Sequence, residues 1–411
     1  MTTKTADQAF VREINLSIIL NTLHDHTRIS RARLAAITGL NKATVSRLIK
    51  ELLDANFVRE IGSPKGDDAG RPAILLELNP HAGYIIGAEI GVDFISVVLT
   101  NFAVEVHWRH QEQTSHLPNQ EAILQRTLAI IHAALDHAKR DGQQILGLGL
   151  GVPGLVDVQS GALLFAPNLG WRDVKLRELL EHEFNFPIYV DNEANLAALG
   201  ESRFGVARGC KNVLFITSGR GLGGGIVLNG DVWTGAIGLA GEVGHMTIAL
   251  DGPQCNCGNR GCWETLVTEG AVYRFVREAL TAGQKSFLSD LTHGDLDQLT
   301  IPLVVQAARS QDPVALDALK KTGQYLGVGL ANLINAWNPE MIVLGGNLSL
   351  ASEFLLPEIN QVIEARSLLW SRRVAKILIA AYGSDACAMG GVTAVYHHIL
   401  SEPRTVRKNG G

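Results

Sequence analysis

The chain has 411 residues, 46% of them hydrophobic and 19% charged, with a formal net charge of −5. That length predicts two or three domains with sizeable cores and excludes a disordered chain, which would be poor in apolar residues. No window reaches the ~18 apolar residues of a membrane helix. Met1 to Phe10 is too polar for a signal peptide, and five cysteines are too few for a disulfide scaffold, so a soluble cytoplasmic protein is expected.

Charge is unevenly spread: residues 1–80 hold 11 Lys and Arg against 9 Asp and Glu, and the remainder holds 25 against 32. The segment Arg28 to Lys50 has six basic residues, Arg31, Lys42, Arg47 and Lys50 among them, and no acid. A basic stretch on an acidic protein points to polyanion contact through one small module. Ile14, Ile18 and Ile19 recur at helical spacing in a first helix and predict its inward face. Ser30 is placed to cap a second helix, which Gly39 stops, and Asn41 to cap a third. Val45, Leu48, Ile49 and Leu52 form the inward stripe of that third helix, opposite Lys42, Thr44, Ser46, Arg47 and Lys50. Two helices joined by a tight glycine turn, the second carrying short polar and basic residues, make a helix-turn-helix. Arg47 and Lys50 suit phosphates or guanine edges, and Thr44 and Ser46 suit backbone or bases. Two strands at Phe57 to Ile61 and Ala73 to Leu78 enclose a Gly-rich stretch and predict a hairpin wing, with Arg71 aimed at a minor groove. Asn79-Pro80 marks the boundary, giving a winged helix-turn-helix domain over 1–80 and a second domain over 81–411.

From Tyr84 onward short apolar strands alternate with helical segments, an α/β pattern. Tyr84 to Ile90, Ile95 to Thr100 and Ala103 to Arg109 predict a three-strand meander, followed by a helix near Glu121 to Lys139 and a strand at Ile145 to Val152. Lys211 to Ser218, Gly225 to Leu228 and the Asn229-Gly230 turn predict a second meander, followed by a helix near Pro313 to Ala336 and a strand at Met341 to Leu344. The repeated unit implies two similar lobes with a cleft between them.

The sharpest chemical signal is His245 followed by Cys255, Cys257 and Cys262. Three thiolates and one imidazole form the ligand set of a closed tetrahedral site, and soft sulfur favours one structural Zn²⁺ per chain over Mg²⁺ or Ca²⁺. Cys210 and Cys387 read as ordinary buried thiols. Glu242 and Glu264 bracket the metal loop and suit vicinal sugar hydroxyls as bidentate acceptors.

Gly241-Glu242-Val243-Gly244-His245 followed by Cys-x-Cys-Gly-x-x-Gly-Cys-x-Glu resembles the signature of the ROK family of repressors and sugar kinases. With the winged helix-turn-helix in front, the chain is similar to the NagC/XylR-type repressors over roughly Val11 to Leu400. The resemblance implies a two-lobed actin-like, hexokinase-like (ribonuclease H-like) ATPase-type domain, assembled as a homodimer or a dimer of dimers. It also implies operator DNA as partner and a monosaccharide effector, with sugar contacts at Gly154, Asn168, Asn192, Glu193, Glu242, His245 and Glu264.

Departures from the family's kinase pattern carry the functional expectation. Where kinases have Asp-x-Gly-Gly-Thr, this chain reads Glu89-Ile90-Gly91-Val92-Asp93, placing a branched side chain and a negative charge where phosphate would sit. Glu193 stands at the kinases' base, one methylene too long, and a misplacement of ~1 Å costs on the order of a hundredfold. The loop Gly219-Arg220-Gly221-Leu222-Gly223-Gly224-Gly225 keeps its glycines but has Arg220 for the usual Thr; it suits phosphate or a tight hairpin equally. Phosphoryl transfer is expected to be lost and sugar binding kept. The Asp191 to Asn195 segment is closest to the xylose-repressor branch and points to xylose or a related aldose. Two alternatives stand beside this reading: a sugar kinase with a DNA-binding head, and a regulator whose DNA affinity is set by a partner protein.

Overall fold

The computed structural model describes residues 8–62 and 74–402; Arg71 and the tip of the expected wing lie outside the described residues. The chain opens with α1 (Gln8–Asp25), β1 (Ile29–Ser30), α2 (Arg31–Thr38), α3 (Lys42–Asp54), β2 (Val58–Ile61) and β3 (Leu75–Leu78). Local rules set these boundaries. The Ser30 side chain accepts from Arg33 N, Gly39 ends α2 in the left-handed region at φ 71°, and Asn41 accepts from Thr44 N. The strands pair antiparallel in the order β1-β3-β2. The inward stripe of α1 differs from the sequence expectation: Leu16, Ile19, Leu20 and Leu23 are buried, whereas Ile14 is 43% and Ile18 37% exposed. The helix carries apolar residues on two sides, and packing against α2, β3 and a helix from the far end of the chain selects one of them.

The first lobe consists of β4 (Tyr84–Ile90), β5 (Phe94–Asn101), β6 (Val106–Gln113), α4 (Gln120–Arg140), β7 (Ile145–Val152), β8 (Leu155–Asp157), β9 (Ala162–Ala166), β10 (Trp171–Val174), α5 (Leu176–Glu183) and β11 (Ile188–Asn192). Its main sheet runs β11-β7-β4-β5-β6, with an antiparallel meander and two parallel additions. β6 begins three residues later than expected. Asn101 Oδ1 accepts from Ala103 N and Glu105 N, and Val104 has φ 64°, so 101–105 is a turn.

The helix α6 (Glu193–Arg203) leads into the second lobe: β12 (Val213–Ser218), β13 (Leu222–Leu228), β14 (Asp231–Val232), α7 (Glu264–Val267), α8 (Glu269–Thr281), α9 (Leu288–Leu291), α10 (Ile301–Arg309), α11 (Pro313–Trp337), β15 (Met341–Gly345), α12 (Ser352–Arg366), α13 (Leu369–Val374) and β16 (Lys376–Ile379). Its sheet order, β14-β13-β12-β15-β16, repeats that of the first lobe: third, second and first strands of a meander, then two parallel strands. The fold is therefore a duplicated α/β unit behind a winged helix-turn-helix. Among the described residues, no helix is long and apolar enough to cross a membrane.

Two helices join the lobes. The last helix, α14 (Ala386–Ser401), returns to cover β4 and β7 of the first lobe, while α6 packs on β12 and β13 of the second, and the two lie against each other. Main chains approach closely at each layer. A Cβ on Gly87 would strike Ala388 O, one on Gly149 would strike Gly391 O, one on Gly390 would strike Leu196 O, and one on Gly225 would strike Ala194 O. The apolar core of the N-terminal module is also continuous with α14, from Leu16, Leu20 and Leu76 through Phe102 to Val392, Tyr396 and Ile399.

Candidate functional site

On α3 the side chains of Lys42, Ser46, Arg47 and Lys50 are exposed and Thr44 is half-buried, while Val45, Leu48, Ile49 and Leu52 face inward. Arg31, expected at the same surface, is bound to Glu60 on β2 at 2.6 Å, so its charge is already partnered within the module.

The metal loop follows a 3-10 turn at Val243–His245. It is closed by bridges Thr247↔Cys262 and Gln254↔Arg260 and by Cys255 N donating to Asn259 O at 2.8 Å. Gly258 and Gly261 adopt φ 94° and 66°, and a Cβ at Gly261 would strike Ala249 O, so the tight return needs glycine there. The ligand atoms of His245, Cys255, Cys257 and Cys262 lie within 4.8 Å of one another. Cys255 Sγ is 3.8 Å from His245 Nδ1, and Cys257 Sγ is 3.7 Å from Cys262 Sγ. A tetrahedron with metal–sulfur arms of about 2.3 Å has edges of roughly 3.8 Å, so the cage fits a metal of that size. Burial pushes the Cys255 thiol up to about 12 and raises that of Cys262, while the backbone of Asn259 lowers that of Cys257, so a cation would be needed to ionise all three together. Cys210 and Cys387 lie outside the cage.

The expected sugar contacts come from both lobes. Asn192 caps α6 through Oδ1, and its Nδ2 donates to Gly154 O at 3.0 Å and Glu193 Oε2 at 2.8 Å. Gly154 has φ 102°. Asn168, in the β9–β10 turn, reaches across: a Cβ on Gly221 would lie 3.0 Å from Asn168 Nδ2 and 3.1 Å from Glu264 Oε2. Glu264 accepts from Leu222 N at 3.2 Å and places its other oxygen 3.7 Å from Cys255 Sγ, joining cleft to metal loop. Glu242 Oε2 lies 3.6 Å from His245 Nε2, the ring nitrogen turned away from Cys255. That carboxylate therefore stands beside the imidazole on the side away from the cysteines.

The cleft floor is rich in carboxylates. Burial raises Glu89 to about 8, reinforced by Asp385 and opposed by the bond to Cys387. Burial also holds Glu193 well above its ordinary value, with Glu89, Glu242 and Asp191 adding like-charge repulsion. The sequence expectation treated Cys387 as an ordinary buried thiol; it is buried, and it also bonds to Glu89. It likewise treated Asp93 and Arg220 as separate departures. They form an ion pair at 3.0 Å, Asp93 from the first lobe and Arg220 from the second. Their equivalent places in the two meanders are the one sequence signal that links them.

At the junction of module and lobes, rings from five parts of the chain meet. Tyr396 of α14 lies 5.6 Å from His24 of α1, 4.9 Å from Phe102 and 5.2 Å from Phe204 at the end of α6, and Phe57 lies 5.5 Å from Phe102.

The sequence profile of the ROK family matches residues 85–398, and that of the MarR family matches residues 17–67. The chain is 35% identical over 397 residues to the xylose repressor of Caldicellulosiruptor bescii, covering 97% of this chain and 99% of that one. It is 37% identical over 309 residues to a glucokinase of Halalkalibacterium halodurans, covering 75% of this chain and 93% of the other. The crystal structure of a ROK family transcriptional regulator, a homolog of the E. coli MLC protein, superposes with a TM-score of 0.84 at 28% identity, covering 97% of this chain and 99% of that one.

Proposed function

The chain belongs to the ROK family, and we propose that it is a sugar-responsive transcriptional repressor with a monosaccharide, xylose foremost, as effector. The observation that carries this reading is the unbroken core between the N-terminal module and α14. The DNA-reading helix is thereby mounted on the same pair of helices that joins the lobes. A sugar held by Gly154, Asn168, Asn192 and Glu193 from one lobe and by Glu242, His245 and Glu264 from the other binds best at one lobe angle. That preference, passed through Phe204 and Tyr396 to His24, reorients the module. The ligand shifts the equilibrium only by its differential affinity for the two arrangements.

On this reading Lys42, Thr44, Ser46, Arg47 and Lys50 face operator DNA, with Arg31 and Arg71 supporting from the flank and wing. Residues 1–80 form the DNA-binding domain and 81–411 the sugar-binding domain of a cytoplasmic homodimer or dimer of dimers, whose paired heads read a pseudo-palindromic operator. Zinc is the metal that the Cys₃His set suits best. When bound it supplies a cross-link with no open coordination position, so its work is to hold Glu242 and Glu264 in place. Phosphoryl transfer is absent on this reading, because Glu89, Val92, Asp93 and Glu193 replace the phosphate and base groups. The close glucokinase relative is the reason to test that separately.

Gel retardation on the upstream DNA of its own gene tests the proposal. Retardation is expected without sugar, release with xylose, and loss of retardation in Arg47→Ala. Retardation indifferent to a full panel of monosaccharides would overturn the sensor reading, and sugar-dependent ATP turnover near one per second would replace it with a kinase.

A further inference from the structure

Asp93 and Arg220 lie in equivalent turns of the two halves of the duplicated fold, each between the first two strands of its meander. Both ends are fixed before the charges meet. Gly91 N donates to Phe94 O at 2.8 Å and Thr114 N to Asp93 O at 2.7 Å, which sets the carboxylate. Gly219 N donates to Gly221 O at 3.0 Å and Glu269 N to Gly219 O at 3.0 Å, which sets the guanidinium. The pair remains wet, with side chains 63% exposed at Arg220 and 31% at Asp93, so it contributes little to stability.

Its chemistry matters more. A guanidinium on a glycine-rich turn is a receptor for phosphate or carboxylate groups, through a planar fork of donors. Here the opposite lobe supplies the anion itself. The next residue, Gly221, faces Asn168 and Glu264, whose side chains a Cβ there would approach to 3.0 and 3.1 Å, so the neutralised guanidinium stands beside the proposed sugar site. The rest of that site presents the carboxyl groups of Glu193, Glu242 and Glu264, which suit the hydroxyls of an uncharged sugar as acceptors and offer a phosphate no donor.

We propose that the Asp93–Arg220 pair is an anion gate: Asp93 occupies the cleft's guanidinium and restricts the effector to uncharged sugars, excluding sugar phosphates and sugar acids. The identity of the excluded ligands rests on the sugar-repressor reading; the masking of Arg220 does not.

Calorimetric titration of the full-length protein with inorganic phosphate, and with xylose and glucose beside xylose 5-phosphate and glucose 6-phosphate, tests the gate. The wild-type protein is expected to take up no phosphate and to prefer a bound free sugar over its phosphate. D93N frees the guanidinium: phosphate binding appears, and the sugar phosphates gain about tenfold, the scale of one charge-assisted contact. Free-sugar affinity moves less than about threefold, as for an exposed pair. D93S should repeat the result, guarding against a local fault of one variant, and D93N/R220Q should abolish it. The gate is overturned if the wild-type protein binds a sugar phosphate as tightly as the free sugar, or if neither Asp93 variant gains phosphate binding. Phosphate uptake by D93N in a protein that binds no sugar would retain the gate and discard the sugar reading.

Discussion

The two lobes share a strand order and hold their halves of the cleft by different means. The first lobe uses its own main chain: Asn192 caps α6 and ties down Gly154, and Asn168 sits in a short strand-to-strand turn. The second lobe uses an insertion between β14 and α7, in which His245 and three cysteines gather into one cluster that could hold a metal. On the proposed reading the duplicated scaffold fixes where a binding wall can stand, with local capping to hold one wall and a metal cross-link to hold the other. One wall should survive loss of metal and the other should not.

The largest expected effect tests that contrast. Cys257→Ser should release the metal, measured as zinc per chain by atomic emission, and lower sugar affinity about a hundredfold while DNA retardation persists. Normal sugar binding by this variant would uncouple metal from ligand. Asn192→Ala attacks the other wall. Loss of a helix cap costs ~1 kcal/mol, and with the bonds to Gly154 and Glu193 gone, sugar affinity should fall about tenfold with the metal content intact. Phe204→Leu should leave sugar and operator affinities within about twofold yet shrink sugar-induced release several-fold, the scale expected for coupling through a packed joint. Unchanged release would remove the aromatic cluster from the pathway.

The smallest effect concerns pH. Glu89 ionises near 8 in the folded protein and near 4.5 when unfolded, so between those values the folded state binds the extra proton. Stability contributed by this group therefore falls as pH rises from about 4.5 to 8. Glu89→Gln should flatten that decline and raise Tm by a few degrees at pH 8 relative to wild type, with little difference at pH 4.5. An identical pH dependence in the two proteins would count against the buried acid.

Features governed by neighbours in sequence were legible. Ser30, Gly39 and Asn41 bound their helices as the capping rules require, and the Cys-x-Cys spacing with His245 gathers into one cage. Features governed by distant partners were not. Ile14 and Leu16 are both apolar residues of α1, and only the packing of the folded chain, with α14 among the partners of α1, makes Leu16 the buried one. The ion pair between Asp93 and Arg220 spans more than a hundred residues and has no local pattern. Likewise nothing nearby in sequence announces that Glu60, on a strand some thirty residues on, pairs with Arg31.

The column of bare main-chain contacts from Gly87 through Ala388, Gly391, Gly390 and Leu196 to Ala194 and Gly225 lets the two lobes approach through their shared helices at backbone distance. Main chains in such close contact leave little slack, so a shift of one helix is carried to the other. A single methyl at Gly390 is then a wedge: it would meet the carbonyl of Leu196 and force the main chains of the two helices apart, so the space between them is set by the lack of a side chain there.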